Sequence, residues 1–391
     1  MATGGETTES TSEIPNQLTF EELSKITDNF SDDRKLGGSQ FGTLYKGIMD
    51  DGKEILVKKL ENYTDIPPDK TFQNEVEKIM ALKDENLVEV VGFCSEVREQ
   101  FLPSGEIYDT VDITANFLCY QYFPNGNLDD YLFGTKPSKD FSVDRGTKAD
   151  DEFSSAEQES QAVDGISSAE AWTSKATDDI SSAEPSTKVA GDISLSEIGI
   201  PKVSLDTSSS EPSIDWDTRF KIINGICHGL LFLHSLDRPI IHMDLKLQNI
   251  WLGANMVPKI GNFGLSRLFG TDLSRMYTET VVGTYGHMAP EYLFRGEISI
   301  KTDIYSLGLL IIQITTREKN YPDPTNPSAR KYVTEIRTGW TAEHIASKYS
   351  SLDAERLQQV YACIEIGLEC VLLDRTKRPP IAEIVDRLNT I

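Results

Sequence analysis

Long apolar runs, paired cysteines, clustered histidines and positive charge are all scarce in this chain of 391 residues, and each shortage excludes something. No apolar run reaches the roughly 18 residues a spanning helix needs, so no membrane span is expected. The five cysteines, Cys94, Cys119, Cys227, Cys363 and Cys370, include no C-x-x-C spacing. Their apolar neighbours suit buried free thiols in a reducing compartment. The five histidines form no metal-ligating cluster. Lys and Arg number 38 against 62 Asp and Glu, a formal net charge of -24. So acidic a surface repels nucleic acid and anionic membranes as partners. The opening Met1-Ala-Thr-Gly-Gly-Glu lacks the basic-then-apolar order of a secretory signal. Ala2 stands where N-myristoylation needs glycine. A cytoplasmic protein is the expectation.

What is present is 39% hydrophobic and 26% charged, a composition that folds. The length leaves room for a two-lobed domain of roughly 270 residues plus extra material. Residues 1–16 are rich in Thr, Ser and Glu and have little to bury, so they read as a disordered tail. Phe20, Leu23, Ile26 and Phe30 then recur at helical spacing. Leu36–Gly47 reads as strand, glycine turn, strand, and Asp51-Gly52 is a hairpin turn signal before the strand Glu54–Leu60. Thr71–Leu82 has a helical stripe of Phe72, Val76, Ile79 and Met80, and Leu87–Phe93 and Phe117–Tyr122 read as two more strands. The piece between those two, about 97–116, is longer than a usual hairpin loop, with a turn at Pro103-Ser-Gly105. Five strands and one helix make a small, mainly antiparallel lobe over about residues 30–121.

Tyr122–Leu132 is a connector into a helix, and then composition changes. Residues 134–213 are rich in Ser, Ala, Asp and Glu, with a degenerate repeat at Phe153-Ser-Ser-Ala-Glu157, Ile166-Ser-Ser-Ala-Glu170 and Ile180-Ser-Ser-Ala-Glu184. Units so short and polar do not build a solenoid. The segment reads as a disordered acidic insertion; a phosphorylatable docking segment is the other reading of the same composition. Order resumes near Ile214, with Asp217 a candidate cap for a helix running to His234. From Glu297 onward the chain is mostly helical, so a larger helical lobe occupies about 124–391. The fold class is α+β, two-lobed, with a cleft.

The chemistry-bearing stretch is Ile240-Ile-His-Met-Asp-Leu-Lys-Leu-Gln-Asn-Ile250, followed by Lys259-Ile-Gly-Asn-Phe-Gly264. These resemble the H-R-D-L-x-x-x-N catalytic loop and the D-F-G turn of eukaryotic protein kinases. The resemblance covers about residues 30–391 apart from the insertion. Its plant receptor-like kinase flavour rests on Phe41-Gly-Thr-Leu-Tyr-Lys-Gly47, Asn86-Leu-Val, Gly92-Phe-Cys, Pro124-Asn-Gly-Asn-Leu128 and Gly283-Thr-Tyr-Gly-His-Met-Ala-Pro-Glu291. It implies a bilobal protein-kinase fold using ATP and magnesium if active. It also implies other signalling proteins or kinases as partners.

Position by position, Gly37 and Gly42 match the first and third glycines of the phosphate-covering loop, with Ser39 at the second. Lys58 matches the phosphate-holding lysine, and Glu75 its helix partner. Asp244 matches the catalytic base, Lys246 a charge-neutralising lysine spaced as in Ser/Thr kinases, and Asn249 the second metal ligand. Leu44, Leu56 and Trp251 match the side chains that sandwich adenine, and Phe123 in the connector joins this nucleotide set. Glu291 and Arg378 match a buried ion pair, Asp303 a carboxylate steadying the catalytic loop, and His242, Phe263 and Ile79 an apolar stack between the lobes.

Three departures bear on activity. Met243 replaces the arginine that grips a phosphorylated activation segment, leaving Thr278 and Thr280 without an obvious basic receptor. Asn262 replaces the metal-binding aspartate. A metal's stabilisation of developing charge is worth several kcal/mol, and each ~1.4 kcal/mol lost is about tenfold in rate. Leu56 and Trp251 are larger than the family's usual Ala and Leu, so floor and ceiling grow into one slot. A catalytically impaired kinase homologue acting through protein binding is the expectation, and an active Ser/Thr kinase is the alternative.

Overall fold

The computed structural model describes residues 16–39, 42–60, 72, 76, 79–80, 82–104, 107–134, 214–269, 274–319, 321–322 and 329–391. The expectations for residues 1–15, for the insertion at 135–213 and for Glu75 lie outside the described residues.

The small lobe is built on a sheet of six strands: β1 (Asn16–Gln17), β2 (Lys35–Ser39), β3 (Gly42–Ile48), β4 (Glu54–Lys59), β5 (Val90–Ser104) and β6 (Ile107–Gln121). Their order is β1-β5-β6-β4-β3-β2. Every neighbour pair is antiparallel except β1 with β5. Alternation along β4 assigns its two faces. Ile55 and Val57 join Tyr45, Phe117 and Cys119 under helix α1 (Phe20–Ile26), whereas Leu56 joins the core that continues into the large lobe. Thr19 and Glu22 close a capping box at the start of α1, and Leu23 and Ile26 are its buried residues. Phe30 stacks on Phe117 at 5.2 Å between ring centroids.

These contacts correct three sequence expectations. The small lobe begins near residue 16 rather than 30, because Asn16 and Gln17 pair with Gly92 and Phe93 and α1 covers the back of the sheet. The stretch 97–116 is not a loop: β5 and β6 stay paired from Val90↔Tyr120 out to Ser104↔Ile107. β5 also starts three residues later than read, since Leu87 bridges instead to Ile260. The stripe of Phe72, Val76, Ile79 and Met80 packs on the core, with Ile79 buried.

The large lobe holds α2 (Leu128–Phe133), α3 (Trp216–His234), α4 (Pro290–Arg295), α5 (Ile300–Thr316), α6 (Ala329–Gly339), α7 (Ala342–Lys348), α8 (Ala354–Cys370) and α9 (Ile381–Asn389). Helix α5 is buried along almost its whole length, its apolar residues interrupted by buried polar ones such as Asp303, Ser306 and Gln313. The cap of α3 is Asp215, whose carboxylate accepts from the Thr218 N–H, not Asp217 as read. Asp217 is drawn away by the Arg356 guanidinium of α8, at 2.5 and 2.8 Å. Arg378 and Glu291 form a bidentate pair at 2.6 and 2.7 Å. Removing one partner of such a buried pair costs about 3–5 kcal/mol. Among the described residues, no helix is long and apolar enough to cross a membrane.

Candidate active site

The catalytic loop is held from below by one carboxylate. Asp303, fully buried on α5, accepts the backbone N–H of His242 at 2.7 Å and of Met243 at 2.9 Å, and contacts His234 Nε2 at 3.0 Å. The N–H of Asp244 donates to His242 Nδ1 at 3.2 Å, so that nitrogen is an acceptor. The ring proton therefore sits on Nε2, which donates to the Gly261 carbonyl at 2.9 Å. His242 also meets Phe263 edge-on at 4.8 Å. Met243 departs from the family only in its side chain, which is buried; its backbone keeps the Asp303 anchor.

Above this base the structure gathers the sequence-assigned residues. Asn249 donates to the Asp244 backbone oxygen at 2.7 Å and to its Oδ2 at 2.8 Å. Lys246 Nζ lies 3.4 Å from Asp244 Oδ2. Thr284 was not singled out from sequence, yet it joins the two: it donates to Asp244 Oδ1 at 2.7 Å and accepts from Lys246 Nζ at 2.5 Å. Its only signal was its place in the Gly283-Thr-Tyr-Gly stretch. His287 nearby is pushed down to about 4 by burial and then by the Lys246 charge. Asp244 is thus contacted by Asn249, Thr284 and Lys246 together.

Asn262 sits at the centre. It adopts a left-handed backbone (φ 67°), which Asn tolerates better than most residues. Lys58 Nζ donates to Asn262 Oδ1 at 2.8 Å. An ammonium is only a donor, so the atom facing Lys58 must be the oxygen, and the NH2 must face the other way. It does: Asn262 Nδ2 donates to Asn249 Oδ1 at 3.2 Å and, more weakly, to Asp244 Oδ2 at 3.4 Å. Asn249 Oδ1 is the oxygen of the other residue assigned to the metal. The set therefore does not fit magnesium as arranged, because an N–H group occupies the direction of a ligand and the remaining amide oxygen is held by Lys58. Among the described residues, no group of three or more His, Cys, Asp or Glu is placed to hold a metal.

The apolar residues assigned to the nucleotide site all pack on the main core. Leu56 and Phe123 are buried in the main core, and Leu44 and Trp251 pack against it. The Trp251 and Phe123 rings stack at 5.7 Å and 26°. Trp251 also lies on the Gly261 backbone, where a Cβ would come within 3.1 Å of the indole. In the glycine turn, Gly37 pairs with Leu44 and Ser39 with Gly42. Gly42 has φ +143°, and a Cβ there would strike the Lys59 carbonyl oxygen at 2.2 Å. That glycine is required by the β3–β4 approach itself.

A profile of the family described as "Protein tyrosine and serine/threonine kinase" matches residues 30–388. Among curated proteins, the chain is similar to cysteine-rich receptor-like protein kinase 41 of Arabidopsis thaliana, 30% identical over 95% of this chain and 44% of the relative. It is likewise 30% identical to cysteine-rich receptor-like protein kinase 29 over 95% of this chain and 42% of the relative. With cysteine-rich receptor-like protein kinase 7 the identity is 31% over 94% of this chain and 43% of the relative, also from Arabidopsis thaliana. The chain spans less than half the length of these relatives.

Proposed function

The chain belongs to the protein tyrosine and serine/threonine kinase family, and we propose that it is a signalling protein whose kinase cleft is catalytically impaired and which acts by binding other proteins. The observation that carries this reading is the Asn262 carboxamide. Its oxygen is held by Lys58 and its NH2 faces Asp244 and Asn249, so the chain's own atoms already satisfy the amides of both residues that would hold a metal. The Trp251–Phe123 stack and buried Leu56 support it from the nucleotide side.

A second reading, an active Ser/Thr kinase, draws on the Asp244, Lys246 and Thr284 cluster. In that reading Asp244 orients a substrate hydroxyl and takes its proton, while Lys246 steadies negative charge beside it. ATP and magnesium are the cofactors that a kinase domain implies if it is active.

Thermal denaturation with and without millimolar MgATP separates the two. A ligand at 100 times its dissociation constant stabilises the fold by about 2.7 kcal/mol. The expected result is no shift for the native chain, and a shift for Leu56→Ala combined with Trp251→Leu. A native chain that binds MgATP and transfers phosphate in an Asp244-dependent manner establishes the active kinase instead.

A further inference from the structure

Apart from the cleft residues, the large lobe carries a surface hollow whose charge is opposite to that of the chain as a whole. It measures about 410 Å3 and is lined by Pro290, Glu291, Phe294, Arg295 and Leu373. Phe294 is 56% exposed and Leu373 38%, so two large apolar side chains from separate segments stand half in water at one place. Exposed apolar surface of this kind, rimmed by polar groups, marks contact sites.

The charges around the hollow are unequal. Its one acid, Glu291, is taken up by the bidentate pair with Arg378. Arg295 is exposed and forms no ion pair with a described residue. Just beyond it, strand β8 (Glu297–Ile298) pairs with β7 (Met276–Tyr277), with Tyr277 opposite Glu297. Glu297 Oε1 lies 2.8 Å from Arg375 Nη2 and 3.7 Å from Arg275 Nη1. Two guanidiniums therefore converge on one carboxylate. Glu297 stands two residues from Arg295 and Arg375 two residues from Leu373, so this arginine-rich group adjoins the hollow's lining along the chain, on a protein of net charge -24.

We propose that this hollow docks an extended acidic segment of a partner protein, with one large apolar side chain seated between Phe294 and Leu373 and flanking carboxylates on Arg295, Arg275 and Arg375. The acidity of the chain as a whole turns such a segment away, so the local surplus of arginine fixes where it lands. A basic segment finds no uncommitted acid in the hollow. The proposal holds whether or not the cleft transfers phosphate.

The test uses the full chain and a short fluorescein-labelled peptide of Glu and Asp with one central Phe, read by fluorescence polarisation. Saturable binding is expected at low salt. It should weaken about tenfold or more, ~1.4 kcal/mol, on Phe294→Ser, on Arg295→Glu, or when the peptide's Phe becomes Ala. Raised salt should weaken it too, because the arginines are exposed. Both substituted residues are exposed, so the variants should melt with the native chain, and Tyr361→Ala should bind the peptide normally. The proposal is overturned if no saturable binding occurs, or if the Phe-free peptide or a lysine peptide binds as well. It is also overturned if both variants bind unchanged, or if phosphatidylserine vesicles bind and the peptide does not.

Discussion

Replacing Asn262 with Asp restores the family residue and is expected to weaken the fold when no metal is present. In the native chain the amide donates toward Asp244 Oδ2 and Asn249 Oδ1 and accepts from Lys58. A carboxylate in its place loses both donated bonds, each worth about 1 kcal/mol. It also sets a second negative charge 3.4 Å from Asp244 Oδ2, a repulsion of about 5 kcal/mol at an effective dielectric of 20. Against this, the Lys58 bond becomes charge-assisted and gains roughly 1–2 kcal/mol, and Lys246 beside Asp244 screens part of the repulsion. The lost bonds and the repulsion outweigh these gains, so the change is destabilising and Tm should fall by a few degrees. Circular dichroism melts in EDTA and in millimolar MgCl2 read it, with Asn262→Ala as the uncharged control. Asn262→Asp should melt lowest in EDTA and recover in magnesium, whereas Asn262→Ala should lose less and ignore the metal. One of the two facing carboxyls would have its folded pKa raised by the other. The extra cost should therefore vanish below the ordinary carboxylate pKa of about 4 and be complete above the raised value. Native and Asn262→Asp chains melting together in EDTA at neutral pH would refute the amide bridge.

His287 supplies a second, independent pH effect. Its folded pKa of about 4 lies below the ordinary 6.5, so the unfolded chain takes up a proton that the folded one refuses. Stability should fall by about 3 kcal/mol as pH drops from near 6.5 to 4, and His287→Gln should flatten that part of a urea-denaturation profile. Thr280→Glu and Thr280→Ala should behave alike in melting and in peptide binding, since Met243 cannot grip a phosphate and Arg267 already donates to the Leu265 and Ser266 carbonyls. A clear difference between them would mean another cation takes that role. Deleting residues 136–212 should leave Tm nearly unchanged, because a segment with so few large apolar residues cannot offset its ordering entropy. A large fall would show that the segment packs on the domain.

What was legible from sequence was whatever motif spacing encodes. The catalytic loop, Lys58, Asn262, the Glu291–Arg378 pair and the Asp303 anchor each come from short patterns; the structure pairs Arg378 with Glu291, sets the loop on Asp303 and places Lys58 against Asn262. What was missed depends on competition or on distance along the chain. Asp215 and Asp217 are both acids at the start of α3, and only the position of Arg356 on α8 decides which of them caps. Pro103 and Gly105 pull the reading of 97–116 toward a loop, yet the backbone register runs through Pro103↔Tyr108. The six-stranded sheet was short by β1 because a two-residue strand has no period to detect. Thr284 lies 40 residues beyond Asp244, and no spacing rule used here couples them. The direction of the Asn262 amide was likewise out of reach, since it follows from a lysine 204 residues away.

That lysine also connects the site to the whole domain. Lys58 belongs to β4 of the small lobe and Asn262 to the large lobe, so their 2.8 Å bond ties the lobes across the cleft. Two backbone bonds run beside it, Val88 N–H to the Ile260 carbonyl at 2.9 Å and Ile260 N–H to the Asn86 carbonyl at 2.8 Å. The His242–Phe263 contact and buried Ile79 extend the same seam through apolar packing. Each tie is made between atoms of the chain itself, and none requires a bound group. A ligand closes two lobes only by binding the closed arrangement more tightly than the open one. When side chains already favour closure, little differential affinity is left for nucleotide to supply. A surface spanning or flanking the lobes is then presented without waiting for ATP, which is the property a protein acting by binding needs. It also makes Lys58 the residue whose loss tells most. Lys58→Met removes the tie and leaves the half-buried amide oxygen of Asn262 without its donor, at about 1 kcal/mol for the lost bond. If the cleft transfers phosphate, the same change abolishes turnover; on the reading proposed above it appears first as a lower Tm and as faster hydrogen exchange along β4.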